Sequence, residues 1–199
     1  MSSIYLYIDT TKGLIVALLD NNFEVKNLVD DETSKSASII HEKMYSLLER
    51  EGVTVEDLDG VIINNGPGSY TGVRVGEGIA KIFELDGIKI VSFLEHEAIS
   101  SITASGYWVA NAFKGESFIY SWKEGEGKRE ELISSDDLTQ KISGSIFSND
   151  ELDINNEVVS SKKFLIKNIS KVAHFYFKKG ERKKPFYFRD LEDEFKVKK

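Results

Sequence analysis

The stretch NNGPGSYTGVRVGEGIAK, residues 64–81, decides the fold, because it joins a compact apolar run to a helical pattern. Its glycines Gly66, Gly68 and Gly72 lack the G-x-G-x-x-G spacing of dinucleotide-binding loops, and no Lys-Ser/Thr pair follows them as in a P-loop. The stretch therefore predicts a tight corner between a strand and a helix, where glycines supply positive φ and Pro67 stiffens the turn.

The same corner has groups that can hold an anion. Ser69 and Thr71 are hydroxyl caps at the start of the predicted helix, where free backbone amides attract negative charge. Arg74 lies on the first turn, and its guanidinium suits a carboxylate or a phosphate. Anion binding at this corner is therefore an alternative to a purely structural turn.

A second candidate turn, Asp9-Thr10-Thr11, ends the first predicted strand. In actin-like kinases and ATPases, an aspartate at such a place coordinates the metal of a bound nucleotide through water. An ordinary turn, capped by its own aspartate, explains the same residues. With both interpretations open, the candidate anion- or nucleotide-binding residues are Asp9, Thr10, Thr11, Gly66, Gly68, Ser69, Thr71, Gly72 and Arg74.

Strands and helices alternate on both sides of the corner. Three strands come first, at 4–11, 13–20 and 22–29, and then a helix at 36–52, a strand at 58–65, the helix at 71–87, a strand at 88–93 and a helix at 95–105. This order predicts a mixed α/β sheet. It is the order of one ribonuclease-H-like half of the actin/hexokinase/Hsp70 fold.

From residue 106 the pattern begins again. We predict strands at 107–113 and 117–124, a capped helix at 134–142, an amphipathic helix at 161–180 and an extended piece after Pro185. These elements place the lobe boundary between residues 105 and 106, with lobes at 1–105 and 106–199. The second lobe is shortened, too short for a second complete nucleotide-binding lobe.

Composition excludes several classes of site. The chain has 199 residues and no cysteine, which rules out disulfides, thiolate metal sites and a cysteine nucleophile, and fits a reducing compartment. Neither a signal peptide nor a membrane-spanning run is present, so we expect a cytoplasmic protein. The three histidines, at 41, 96 and 174, are too scattered for a metal site, and no Ser-His-Asp pattern occurs. We therefore predict neither catalytic nor metal-binding residues.

Charge is unevenly distributed along the chain. The net charge of −7 argues against nucleic-acid binding by the whole surface. Residues 162–199 carry 13 Lys/Arg and 5 Asp/Glu, which leaves a net −15 for residues 1–161. This basic segment is either a solvated terminus or a place where a phosphate backbone is touched.

The predicted helix after the corner contains two further glycines, Gly76 and Gly78. Each costs a helix about 1 kcal/mol relative to alanine, so we expect them to allow close approach of another helix. Apolar side chains surround them at Val73, Val75, Ile79, Ile82 and Phe83. This face is typical of a packing surface more than of a catalytic one.

GPGSYTGVRVGEGIAK closely resembles the GPGSFTGLR signature of the TsaB (YeaZ) family, the non-catalytic partner subunit in bacterial threonylcarbamoyladenosine modification of tRNA. Three other stretches are similar to the family in order: IYLYIDTT at 4–11, KIVSFLEHEAI at 89–99 and KPFYFR at 184–189. The resemblance is strong over residues 1–105 and weak beyond them.

The resemblance implies a two-lobed actin-like (ASKHA) fold with a degenerate nucleotide site and a non-enzymatic role. The implied partners are the catalytic subunit TsaD, the ATPase TsaE and, indirectly, the tRNA that receives threonylcarbamate on N6 of adenosine 37. A homodimer is expected without TsaD. The chain alone is expected to bind no cofactor, while ATP, ADP and Mg²⁺ belong to the complex.

The implied interface consists of the helices at 36–51 and 71–86. Its expected residues are Ile40, Met44, Leu47, Val73, Val75, Gly76, Ile79 and Phe83. The alternative is an actin-fold enzyme that binds ATP and Mg²⁺. A peptidase ranks last, since the sequence offers neither nucleophile nor metal set.

Overall fold

Apolar runs near the N-terminus form one side of a five-stranded mixed sheet. The computed structural model describes residues 3–32, 36–112 and 115–188. The first sheet has the order β3-β2-β1-β4-β5, in which β1 is antiparallel to β2 and parallel to β4. Its strands are β1 (Tyr5–Asp9), β2 (Leu14–Leu19), β3 (Val25–Asp31), β4 (Gly60–Asn64) and β5 (Ile90–Phe93).

Two long helices connect the strands of this sheet. Helix α1 (Ser36–Arg50) lies between β3 and β4, followed by a 3₁₀ turn at Val55–Asp57, and α2 (Tyr70–Leu85) lies between β4 and β5. Their apolar sides pack with β1, β2 and β4 in one hydrophobic core. Burial of these faces supplies the main stabilisation of the unit, because the free energy gained is proportional to the apolar area removed from water.

A second five-stranded sheet repeats the arrangement of the first. Its order is β10-β9-β6-β7-β8, with β6 antiparallel to β7 and parallel to β9. The strands are β6 (Ser105–Asn111), β7 (Glu116–Lys123), β8 (Gly127–Ser134), β9 (Ile146–Ser148) and β10 (Val158–Ser160). The helices of this half of the chain are α3 (Glu95–Ile102), α4 (Leu138–Lys141), α5 (Ser161–Lys167) and α6 (Ile169–Lys179).

The second sheet is more complete than the sequence predicted. All five strands are present, and the shortening falls on the connections: α4 has 4 residues where α1 has 15, and no helix lies among residues 149–157, which join β9 to β10 as α2 joins β4 to β5. The predicted mixed sheets are therefore confirmed, with the ribonuclease-H-like order in the first, and the second sheet repeats the strand order of the first. No prediction covered β8, which is mostly exposed and charged, or the three-residue strands β9 and β10.

The chain divides differently from the predicted lobes. One unit comprises the described residues of Met1–Glu95 and Asn168–Lys199, and the other comprises His96–Lys167. The predicted helix at 161–180 is broken at Asn168, and α6 packs with β4 and β5 of the first unit. The prediction placed the boundary at residue 105 and assigned this helix to the second lobe, because neither the break nor the return of the chain has a local signal.

Parts of the chain carry predictions that the structure does not describe. Arg189, the last residue of KPFYFR, lies outside the described residues, as do residues 190–199 of the basic segment. Within the described part, no helix combines the length and apolar character that a membrane crossing requires.

Candidate functional site

The Asp9-Thr10-Thr11 turn is closed by its own hydrogen bonds. Asp9 is 4% exposed, and its Oδ1 accepts from the Thr11 amide at 2.8 Å and from the Thr11 hydroxyl at 2.6 Å. Its Oδ2 accepts from the Asn64 side-chain amide at 2.8 Å. Asp9 thus ties the end of β1 to the end of β4, and both carboxylate oxygens have partners inside the protein.

The glycine corner packs directly against this turn. A Cβ at Gly68 would lie 2.5 Å from Thr11 Cβ, and a Cβ at Gly72 would lie well inside contact distance of the Thr10 carbonyl oxygen. The Thr10 hydroxyl donates to the Gly72 carbonyl at 2.7 Å, and the Ser69 amide donates to the Thr11 carbonyl at 2.9 Å. The corner therefore needs glycines because backbone meets backbone there.

Gly66 is held on the other side of the corner. Its φ is +109°, a conformation that residues with a Cβ rarely adopt. A Cβ at this position would lie 2.8 Å from the Phe186 carbonyl oxygen of the C-terminal segment. The predicted structural corner is thus present, with protein backbone on two sides of it.

The remaining anion candidates do not point into one site. Ser69 caps α2 by accepting from the Gly72 amide at 3.0 Å. Thr71 is exposed, and the Arg74 guanidinium lies over the Tyr70 ring, 4.2 Å from its centre. The structure brings Asp9, Thr10, Thr11, Gly66, Gly68, Ser69 and Gly72 together and leaves Thr71 and Arg74 on the helix surface.

These residues do not fit a metal-bound nucleotide. The aspartate that would order metal-bound water already accepts three hydrogen bonds, and the corner that would cradle phosphate is filled by residues 10 and 11.

Burial, and then the nearby carboxylates of Asp9 and Glu95, raise the pKa of Tyr7 well above its ordinary value, so its hydroxyl remains neutral. The arrangement is that of a structural junction.

A C-terminal strap, residues 181–188, lies across the ends of β4 and β5. The Ser92 amide donates to the Glu181 carbonyl at 2.9 Å, and the Asn65 side-chain amide donates to the Lys183 carbonyl at 2.8 Å. The Phe186 amide donates to the Asn65 carbonyl at 3.0 Å. Buried Asn65 thus holds the strap at two points.

Arg182 fastens the strap to α2. Its Nε donates to Glu84 at 2.7 Å and its Nη2 donates to Glu77 at 3.0 Å. Partial burial opposes the charged guanidinium, but the bonds to Glu84 and Glu77 outweigh it and raise the pKa of Arg182. Sequence reasoning missed this clasp, because its members are about a hundred residues apart and no local pattern relates them.

Most of the expected interface residues lie in the core of the first unit. Their side chains are at most 5% exposed and pack in or beside the apolar core: Ile40, Met44, Leu47, Val73, Ile79 and Phe83. Val75 is half-buried, and Gly76 is buried, where an added Cβ would lie 2.9 Å from the Thr10 hydroxyl oxygen. These side chains are covered because the strongest apolar stripe of each helix packs against the unit's own sheet, and their assignment to a partner interface stays a prediction.

The surface that α2 leaves open is a weaker apolar stripe. Thr71, Val75, Gly78, Ile82 and Leu85 recur at alternating intervals of four and three residues, so they lie in one line along the helix. Ile82 is 54% exposed and Leu85 is 87% exposed, and nothing lies within 4 Å of a Cβ built at Gly78. We call this line the α2 seam.

Comparison with known proteins finds one family model and several solved structures that this chain resembles. The model of the family described as "TsaD: tRNA N6-adenosine threonylcarbamoyltransferase" matches residues 32–96. A Pseudomonas aeruginosa structure, described as an uncharacterized protein with similarity to peptidase YEAZ, matches with 15% identity and a TM-score of 0.65, over 94% of this chain and all of the other. YeaZ from the same organism matches with 16% identity and a TM-score of 0.63, over 94% of this chain and 100% of that one.

This chain has the YeaZ fold. The resemblance to the TsaB (YeaZ) family is confirmed by the structural matches together with the family match, and the predicted actin-like fold is confirmed with it. No curated protein matches the sequence significantly. The segment that matches the TsaD family model contains α1, β4, the glycine corner and α2, and so it includes the whole α2 seam.

The histidines of the YeaZ-fold chain are not gathered into a site. His96 is completely buried among aromatic rings, with the Tyr120 ring centre 4.5 Å away. His174 stacks on Phe23 with ring centres 5.5 Å apart. Over the described residues, no group of three or more His, Cys, Asp or Glu side chains is arranged to hold a metal ion.

Proposed function

We propose that this chain is a non-catalytic scaffold subunit that binds a TsaD-family catalytic subunit in the threonylcarbamoyl modification of adenosine 37 of tRNA. The observation that carries the proposal is the α2 seam, an exposed apolar line on the segment that matches the TsaD family model. The same role gives the chain TsaE as a further partner, indirect contact with tRNA and a cytoplasmic location. A homodimer through the seam is expected when TsaD is absent.

The seam has the properties that helix pairing needs. Small residues at Thr71 and Gly78 let another helix come close, while Ile82 and Leu85 offer apolar side chains to bury. Burying a leucine side chain contributes about 1.5–3 kcal/mol, which corresponds to roughly a 10- to 100-fold change in affinity. The seam therefore replaces the buried positions as the proposed contact surface.

Two seam variants test this proposal. The chain is mixed in equimolar amounts with the TsaD-family subunit of the same genome, and the masses in solution are measured by analytical ultracentrifugation. The wild-type chain is expected to form a heterodimer, which Gly78→Leu and Leu85→Glu weaken at least about tenfold. Leu132→Glu, at a position on β8 that is 42% exposed, is the matched control and leaves the affinity unchanged.

The outcomes separate the function from the surface. Two separate monomers in the wild-type mixture would refute the scaffold function. A heterodimer whose affinity survives both seam changes would keep the function and move the interface elsewhere. Far-ultraviolet circular dichroism of each variant checks the fold, which Gly78→Leu leaves intact because open space surrounds that position.

We also expect the isolated chain to bind no ATP with Mg²⁺, since Asp9 is occupied by Thr11 and Asn64. Calorimetric titration of the chain with ATP and Mg²⁺ checks this expectation. Micromolar binding would restore the actin-type nucleotide enzyme as the better hypothesis.

A further inference from the structure

A groove opens at the C-terminal ends of α1 and α2. It has a volume of about 690 Å³ and lies between the last turn of α1, the loop and 3₁₀ turn that follow it, and the residue after α2. We call it the terminal groove. Its lining residues are Tyr45, Leu48, Glu49, Gly52, Val53, Thr54, Val55, Glu56 and Asp86.

The terminal groove has an apolar wall and floor. Tyr45 is 59% exposed, while Val53 is 9% exposed and Val55 is half-buried against the core. A groove of this size accommodates a few apolar side chains of a partner, because ligand sites of about 300–1,000 Å³ are usual in proteins. Asp86, which lines the groove, is the residue that follows Leu85 at the end of the α2 seam.

The rim of the groove is acidic. Glu49, Glu56 and Asp86 line it, and no lysine, arginine or histidine does. None of these three carboxylates forms a hydrogen bond or an ion pair with a side chain of residues 3–32, 36–112 or 115–188. Three negative charges around an apolar floor, with no side-chain partner among the described residues, create a field that favours a cationic ligand.

We propose that the terminal groove binds a lysine- or arginine-bearing segment of a protein partner. One or two apolar side chains of that segment lie against Tyr45, Val53 and Val55, and its cationic side chains face the acidic rim. The same charges repel nucleic-acid phosphates and anionic lipid head groups, so a basic protein segment is the class that fits. The inference deepens the proposed function by giving the chemistry of a partner segment beside the α2 seam.

A pair of labelled octapeptides tests the groove. The first alternates lysine with leucine and phenylalanine, and the second has glutamate in place of every lysine. Fluorescence anisotropy measures the binding of each to the full chain, and amide chemical shifts locate the bound peptide. The rim variant E49Q/E56Q/D86N removes the three charges but keeps the side-chain sizes.

We expect the lysine peptide to bind the wild-type chain in the micromolar range and to shift amides of residues 45–56 and 86. The rim variant is expected to bind it about tenfold more weakly, since each exposed charge pair contributes a factor of up to about five. Tyr45→Ala, at an exposed position, is expected to weaken binding by a similar factor through lost apolar contact.

Several results would overturn the proposal. These are no saturable binding of the lysine peptide, equal binding of both peptides, or shifts that map outside the groove. Self-association of the wild-type chain that the rim variant abolishes would assign the groove to a second copy and would also overturn it.

Gly78→Leu distinguishes failure of the groove from failure of the proposed function. We expect this variant to bind the TsaD-family subunit at least about tenfold more weakly and to bind the lysine peptide with unchanged affinity. Loss of both would show that the groove is not a separate binding site. Normal peptide binding by a chain that never binds the TsaD-family subunit would support the groove while refuting the scaffold role.

Discussion

Two glycines of helix α2 should respond in opposite directions to the same substitution. Gly72 and Gly78 are both inside the helix, six residues apart. An alanine Cβ at Gly72 would fall well inside contact distance of the Thr10 carbonyl oxygen and 3.0 Å from its carbonyl carbon, whereas one at Gly78 meets nothing within 4 Å. The neighbour at Gly72 is backbone, so relief requires that the start of α2 moves away from the β1–β2 turn.

The contacts give the size of each effect. Forcing a methyl group into a packed region costs about 1–3 kcal/mol, and moving the helix breaks the 2.7 Å bond from the Thr10 hydroxyl to the Gly72 carbonyl, worth about 1 kcal/mol. Gly72→Ala is therefore expected to lower the free energy of unfolding by about 2–4 kcal/mol. Gly78→Ala is expected to raise it by about 0.5–1 kcal/mol, because alanine restricts the unfolded chain more than glycine does.

Thermal unfolding followed by far-ultraviolet circular dichroism measures both changes. At about 2–4 °C per kcal/mol, Gly72→Ala should lower Tm by roughly 4–16 °C and Gly78→Ala should raise it by roughly 1–4 °C. A Gly72→Ala variant as stable as the wild-type chain would refute the packed corner. It would mean that the loop stands clear of Thr10 and that a phosphate cradle is again reasonable.

Two further changes test the strap and the turn before β4. Arg182→Gln removes the ion pairs to Glu77 and Glu84. We expect limited proteolysis within residues 181–188 to become about tenfold faster, which corresponds to a loss of about 1.4 kcal/mol in local stability. An unchanged cleavage rate would mean that other contacts hold the strap. The backbone amide of Thr54, and then its hydroxyl, donate hydrogen bonds to the Asp57 carboxylate and lower the pKa of Asp57 below the ordinary 3.8. The stabilisation by Asp57 is therefore fully present above pH 3.8 and is lost as the pH falls through the lowered pKa. Asp57→Asn keeps an acceptor oxygen but does not titrate, so Tm of the wild type should exceed that of the variant at pH 6, with the difference vanishing at low pH; a difference independent of pH would contradict this assignment.

The corner and the strand order were predictable because their signals are local. The glycines of residues 66–72, the apolar run before them and the helical spacing after them lie within about twenty residues. Each signal has its own physical reason: backbone contact for the glycines, burial for the strand and a repeating apolar face for the helix. The first sheet could therefore be derived almost strand by strand.

The direction in which each helix faces was not predictable. Helix α2 has one apolar side that ends in the core, with Val73 and Phe83, and another that faces solvent, with Ile82 and Leu85. Helical spacing identifies both sides but does not say which one the sheet covers. The sequence prediction assigned the stronger apolar stripe to a partner, whereas in the structure this stripe packs against the unit's own sheet.

Long-range polar contacts and exposed strands also escaped prediction. Asn65, Glu77 and Arg182 meet only after the chain has returned to the first unit, so no spacing rule could connect them. Strand β8 has no apolar alternation because most of its residues face solvent at the edge of the second sheet. In both cases the stabilising interaction is made with a distant part of the chain.

The return of the chain to the first unit has a consequence for synthesis on the ribosome. Arg182 binds a glutamate that emerges 105 residues earlier, and the strap lines one side of the glycine corner. The strands of the second sheet, in contrast, lie in one continuous stretch between Ser105 and Ser160. The half of the protein that is translated first is therefore the last to be completed, and nascent chains spend part of their synthesis with the corner at Gly66 unsealed.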